Sequence, residues 1–96
     1  MKIARTILDQ LGGSKFLAMT GSRDFVAAKN LLRMRLARNK SGASHLTIIL
    51  AGDDTYRMQF LKLVKASIKV LETIEGVRFD QMQAVFTDVT GLDTHL

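Results

Sequence analysis

Three observations predict an α+β fold, an antiparallel sheet of about five strands flanked by an N-terminal and a C-terminal helix packed on one face. Apolar residues recur at helical spacing near both ends of the chain, they alternate with polar residues between those ends, and the alternating runs are separated by turn signals too short for crossover connections. No internal repeat, linker or domain boundary interrupts the 96 residues, so one domain is expected.

The elements follow in order. Ile3, Ala4, Ile7, Leu8 and Leu11 define an amphipathic helix over residues 2–11, and Gly12-Gly13 stands where a left-handed turn would end it. Lys15 to Thr20 is a short apolar-rich segment closed by Gly21-Ser22. Phe25 to Lys29 leads into Leu31 to Arg38, where Leu32, Met34 and Leu36 alternate with Arg33 and Arg35. A helix over 26–38 is the rival reading, but at about 100° per residue Leu36 would fall among Lys29, Arg33 and Lys40 on the polar side, so a strand is expected.

Asn39 to Ser44 is a polar, turn-rich connection to a central strand over His45–Leu50, apolar on nearly both sides. Gly52-Asp53-Asp54 signals a hairpin into Thr55–Leu63, where Tyr56, Met58 and Phe60 alternate with Arg57 and Gln59. Val64-Lys65-Ala66 turns the chain into a strand over Ser67–Ile74, with Ile68 and Val70 opposite Lys69, and Glu75-Gly76 is expected to break it. Met82, Val85, Phe86 and Val89 then mark the last helix, with Asp80 and Gln83 at capping-box spacing, Gly91 at its end and a short tail over 92–96.

Composition narrows the function. Cysteine is absent, which removes disulfides, thiolate metal sites and a cysteine nucleophile; proline is absent too. No apolar run approaches the roughly 20 residues needed to cross a bilayer. Charge interrupts Met1-Lys2-Ile3-Ala4-Arg5 before a signal core forms, so a soluble protein of the cytoplasm, in a host cell, is expected.

The stretch Gln10-Leu11-Gly12-Gly13-Ser14-Lys15-Phe16-Leu17-Ala18-Met19-Thr20-Gly21 resembles the start of a family of small, uncharacterised proteins encoded by bacteriophages and prophages. The resemblance continues through Glu72-Thr73-Ile74-Glu75-Gly76-Val77 and through Ala84-Val85-Phe86-Thr87 to Thr90-Gly91-Leu92, in similar order and spacing. It implies a phage or mobile-element origin and a single compact domain, and carries no activity onto any residue. Arg33 to Lys40 are not among the residues that carry it.

No catalytic or cofactor pattern emerges. Gly12-Gly13-Ser14-Lys15 closes a helix, whereas a phosphate-cradling loop must open one. Asp53-Asp54 lacks further oxygen ligands at loop spacing and reads as turn chemistry. His45 and His95 are fifty residues apart with no acidic residue in zinc-hydrolase spacing. Acid pairs such as Glu72 with Glu75 or Asp80 with Asp88 come without a positioned nucleophile or base. A non-catalytic protein with no cofactor and no metal is therefore expected.

Charge is what remains. Residues 1–71 carry thirteen Lys/Arg against four Asp/Glu, whereas residues 72–96 carry one Arg against five acids. Alternation should project Arg33 and Arg35 from one strand face, with Arg57 and Lys69 at the corresponding positions of later strands and Arg38, Lys40, Lys62 and Lys65 at the periphery. Such a face suits a polyanion, and nucleic acid is the first expected partner. Phe16, Phe25, Tyr56, Phe60, Phe79 and Phe86 read mostly as core, with no stacking cluster for bases. The second reading is a protein-interaction module that binds a host protein, such as a component of a defence system like CRISPR, or pairs with itself, Asp80, Asp88 and Asp93 meeting the basic face of a second copy. A solvated face that only covers apolar surface is the plain alternative to both.

Overall fold

A computed structural model describes residues 2–92 and Thr94. The order is α1 (Lys2–Leu11), α2 (Ser14–Thr20), β1 (Arg23–Ala28), β2 (Leu31–Arg35), β3 (His45–Leu50), β4 (Tyr56–Val64), β5 (Ser67–Val77), a 3₁₀ turn (Phe79–Gln81) and α3 (Met82–Thr90). The strands form one antiparallel meander in the order β1-β2-β3-β4-β5, with β3 at its centre. Hairpin-length connections permit no other simple arrangement, because a parallel neighbour would need a crossover of a dozen residues.

Alternation decides which sheet face meets the helices. Leu32 and Met34 of β2, Leu46 and Ile48 of β3, and Tyr56, Met58 and Phe60 of β4 are buried together with Ile7 and Leu11 of α1, Phe16 of α2, and Met82 and Phe86 of α3. The helices thus cover one face of the sheet, as expected. The Phe16 and Phe86 rings meet edge to face at 5.0 Å between centroids and join α2 to α3. Tyr56 Oη donates to Gln10 Oε1 at 2.8 Å, and Gln83 Nε2 donates to the Leu11 carbonyl at 2.6 Å, so β4 and α3 are both tied to the end of α1.

α2 and α3 end in the same way. Phe16-x-x-x-Thr20-Gly21 and Phe86-x-x-x-Thr90-Gly91 each place a threonine hydroxyl on the phenylalanine carbonyl one turn back, at 2.7 Å in both cases. The following glycine takes the left-handed conformation, φ 68° at Gly21 and 76° at Gly91, and its N–H closes on the carbonyl four residues back. A β-carbon on Gly21 would stand 3.2 Å from Ala37 Cβ, and one on Gly91 would stand 3.1 Å from the Lys40 stem. The connection 36–44 is thereby clamped against both helix ends, and Lys40 N–H donates to the Thr90 carbonyl at 3.1 Å.

Several local expectations are corrected. The short apolar-rich segment, to which the spacing assigns no element, is a helix over residues 14–20, and Phe16 of it meets Phe86 edge to face. The run expected to be strand as far as Arg38 turns at Lys29-Asn30, giving the β1–β2 hairpin, and ends at Arg35. β5 continues past Glu75-Gly76 to Val77, because a register shift between the Tyr56 and Met58 pairings absorbs Gly76 at φ 67°. The Asp80–Gln83 capping box does not form; Gln81 Oε1 instead accepts from the Arg78 N–H at 3.0 Å, and Gln83 is drawn to α1. Phe79 is exposed on the 3₁₀ turn. His95 and Asp93 lie outside the described residues. Among the described residues no helix is long and apolar enough to cross a membrane.

Candidate nucleic-acid interface

Among the described residues no helix lies on the second face of the sheet. Cross-strand pairing defines its rows, because residues directly opposite one another share a face. One row runs Val26, Arg33, Thr47, Gln59, Thr73, and the next runs Arg23, Arg35, His45, Leu61, Val70. Arg33 and Arg35 project from this open face while Leu32, Met34 and Leu36 are buried behind them, as the alternation predicts. Arg33 Nε donates to Thr47 Oγ1 at 3.1 Å, which holds the guanidinium over the centre of the sheet. Arg35 pairs across the hairpin with Arg23, a cation that alternation along β1 could not place, since a register shift at Asp24-Phe25 breaks the period there.

Arg57 also belongs to this face, but its Nη2 lies 2.7 Å from Glu75 Oε1, and its Nε donates to the same oxygen at 3.0 Å. The pair leaves Arg57 little net charge to offer an anion. Lys69 does not share the face. It stands opposite Lys62, and both extend the helix-bearing side beyond the reach of the helices, where Lys62 to Val70 are all exposed. On the open side of that projecting hairpin are Leu61, Leu63, Ile68 and Val70, so the polar and apolar sides of β4 and β5 exchange there. The expectation of four cations on one sheet surface is corrected accordingly: Arg33 and Arg35 are together, Arg23 joins them, Arg57 is paired, and Lys69 is elsewhere.

The peripheral cations divide in the same way. Arg38 stands on the connection 36–44 beside Arg35 and Arg23, all three lining one cavity. Lys40 is turned to the carboxyl end of α3, where its stem lies on Gly91 and a cation is favourable. Lys65 occupies the β4–β5 turn at φ 54°. Asp80 and Asp88 lie on the helical side, Asp80 3.9 Å from Arg78 Nε.

His45 sits among these arginines with its Nδ1 hydrogen-bonded to Ser44 Oγ at 2.8 Å. Burial first, then the Arg35 and Arg33 guanidiniums, lower its pKa from the usual 6.5, against a smaller opposing pull from Asp24. The imidazole is therefore neutral at pH 7, and the positive charge of the face comes from arginine. Arg33, His45, Leu61, Leu63 and Ile68 line a small open-face cavity of about 90 Å³, where the cationic half of the face meets the apolar half. No Phe or Tyr side chain is on the open face among the described residues: Phe16, Phe60, Phe86 and Tyr56 are buried, Phe25 packs against the core, and Phe79 is on the 3₁₀ turn.

Among the described residues no group of three or more His, Asp or Glu side chains is arranged to hold a metal ion. Comparison with protein families, with curated proteins and with solved structures gives no match.

Proposed function

We propose that this chain is a non-catalytic accessory protein that binds nucleic acid through the open face of its sheet, with Arg33 and Arg35 as the principal phosphate contacts and Arg23 beside them. The observation that supports it is the grouping of these arginines on an uncovered face, with Arg33 and Arg35 in no ion pair among the described residues and the neighbouring histidine neutral. Guanidiniums held on a flat surface take phosphate oxygens in bidentate fashion and release counterions. Without Phe, Tyr or Trp to stack bases the contact is made mainly to the backbone, so affinity is modest, tolerant of sequence and steeply dependent on salt. The resemblance to phage and prophage proteins fits a role in the cytoplasm of an infected cell and belongs to the same proposal.

The test is fluorescence anisotropy with labelled single-stranded DNA, duplex DNA and RNA at low and physiological salt. Saturable binding that weakens with salt and is lost in the Arg33→Glu/Arg35→Glu protein supports the proposal, and unchanged affinity in that protein refutes it.

A second reading, a protein partner or a second copy of the chain, draws on the other half of the same face, where Leu63, Ile68 and Val70 are 51%, 61% and 52% exposed. Sedimentation tests its self-association branch. A species heavier than a monomer that dissociates in an Ile68→Lys/Val70→Lys protein supports that branch, and a monomer at all concentrations removes it.

A further inference from the structure

Where β1 begins and β2 ends, and the open face meets the connection 36–44, the chain forms an open cavity of about 590 Å³. Arg23 of β1, Arg35 of β2 and Arg38 of the connection line it, and no acidic residue among the described residues is in its lining. Its composition sets it apart from the other large hollows. The groove between β5 and α3 presents Glu72 and Asp88, and the groove along α1 pairs Arg5 with Asp9.

The wall carrying Arg38 is held in advance. Asn39 Nδ2 donates to the carbonyls of Ala37 at 2.8 Å and Ala43 at 2.9 Å, while Asn39 Oδ1 accepts from the Ser41 N–H and the Ser41 hydroxyl. Ser41 Oγ accepts from the Ala43 N–H, Leu36 N–H donates to the Ser44 carbonyl, and Ser44 N–H donates to Leu61 of β4. Contact of Ala37 with Gly21 closes the wall on the helix side. A site whose backbone is already ordered loses less entropy on binding.

From this geometry we infer that the cavity is a site for the terminal phosphate of a nucleic acid strand, held by Arg23, Arg35 and Arg38. The inference rests on the proposed nucleic-acid reading, because Arg35 and Arg23 belong to both the open face and the cavity and so join the strand to its end. A phosphomonoester carries about −1.5 to −2 charges near pH 7, against −1 for an internal diester. Three guanidiniums around one hollow match the former, whereas a chain of diesters follows the flat face. The opposing charges are small. The Asp24 carboxylate is exposed, 3.9 Å from Arg23 Nε, and α2 contributes the partial negative charge of a short helix end.

The experiment compares one single-stranded oligonucleotide in 5′-phosphorylated, 3′-phosphorylated and unphosphorylated forms by anisotropy competition, using the full chain, the Arg38→Gln protein and a Lys65→Gln protein as a charge-matched control. One phosphorylated end should bind about tenfold more tightly than the unphosphorylated strand, since Arg38 adds a charge-assisted contact. The ratio should fall to about one in Arg38→Gln and persist in Lys65→Gln. A ratio of one in the unmodified chain, or a ratio that survives Arg38→Gln, overturns the terminal-phosphate site while leaving the nucleic-acid reading standing. Failure of every strand to bind overturns that reading as well.

Discussion

Replacing Arg33 and Arg35 by Gln removes two of the three arginines proposed to contact phosphate, the two with no carboxylate partner among the described residues, and the cost is readable in a salt titration. Each phosphate neutralised contributes a slope of about −0.7 in log K against log salt for a single strand. Arg23, Arg33 and Arg35 together give about −2.1, so raising salt from about 50 to 200 mM weakens binding roughly twentyfold. The double variant keeps one contact and a slope of about −0.7, a loss of roughly threefold over the same range. Arg57 adds little because Glu75 is 2.7 Å away. The matched control is Lys62→Gln/Lys69→Gln, which removes the same charge from the opposite side of the sheet. Its slope should equal that of the unmodified chain. Anisotropy at four or five salt concentrations measures all three proteins. If the two double variants lose slope equally, net charge and not the arginine face drives binding, and the reasoning from register fails.

Further predictions concern the scaffold. Phe86→Ala removes the edge-to-face partner of Phe16 from a fully buried position and should cost about 3–5 kcal/mol in urea denaturation, a large share of a small domain's stability. Tyr56→Phe deletes the hydrogen bond to Gln10 and should cost about 0.5–1.5 kcal/mol in the same assay. Lys62 and Lys69 are like charges directly opposite on β4 and β5, so Lys69→Glu should stabilise the fold by about 0.2–1 kcal/mol, an effect that shrinks at high salt. The folded His45 has a pKa below that of the unfolded chain, so the unfolded state takes up the proton first as pH falls. The stability this gives is complete above about pH 6.5 and is lost as pH drops below it. Denaturation midpoints between about pH 7 and pH 5 should fall less steeply in His45→Gln.

The sheet was legible in the sequence wherever one face is buried against helices. Leu32, Met34, Leu46, Ile48, Met58 and Phe60 keep strict alternation because each odd step would put an apolar side chain on the wrong side of β2, β3 or β4. The same rule placed Arg33 and Arg35 correctly. It misplaced Lys69 because β4 and β5 outrun the helices, and past Leu61 nothing obliges the apolar residues to point inward. Arg23 escaped notice for a different reason. Its register depends on the Lys29-Asn30 turn and on the shift at Asp24, where φ is 55°, and neither leaves a periodic trace. α2 was hidden by brevity: seven residues span barely two turns, and only its partner Phe86, seventy residues away, explains why it is a helix. The cavity of Arg23, Arg35 and Arg38 joins residues from three segments, so pairing and loop closure had to be known before it could be seen.

The most direct test of the proposed interface is amide chemical-shift mapping of the isotopically labelled chain during titration with a short single-stranded oligonucleotide at low salt. The structure predicts shifts gathered on Arg23, Arg33, Arg35 and Thr47, with those of Lys62, Lys69 and α3 unmoved. Shifts gathered on the lysine side of the β4–β5 hairpin or on α3, or no shifts at all, would contradict binding by the open arginine face.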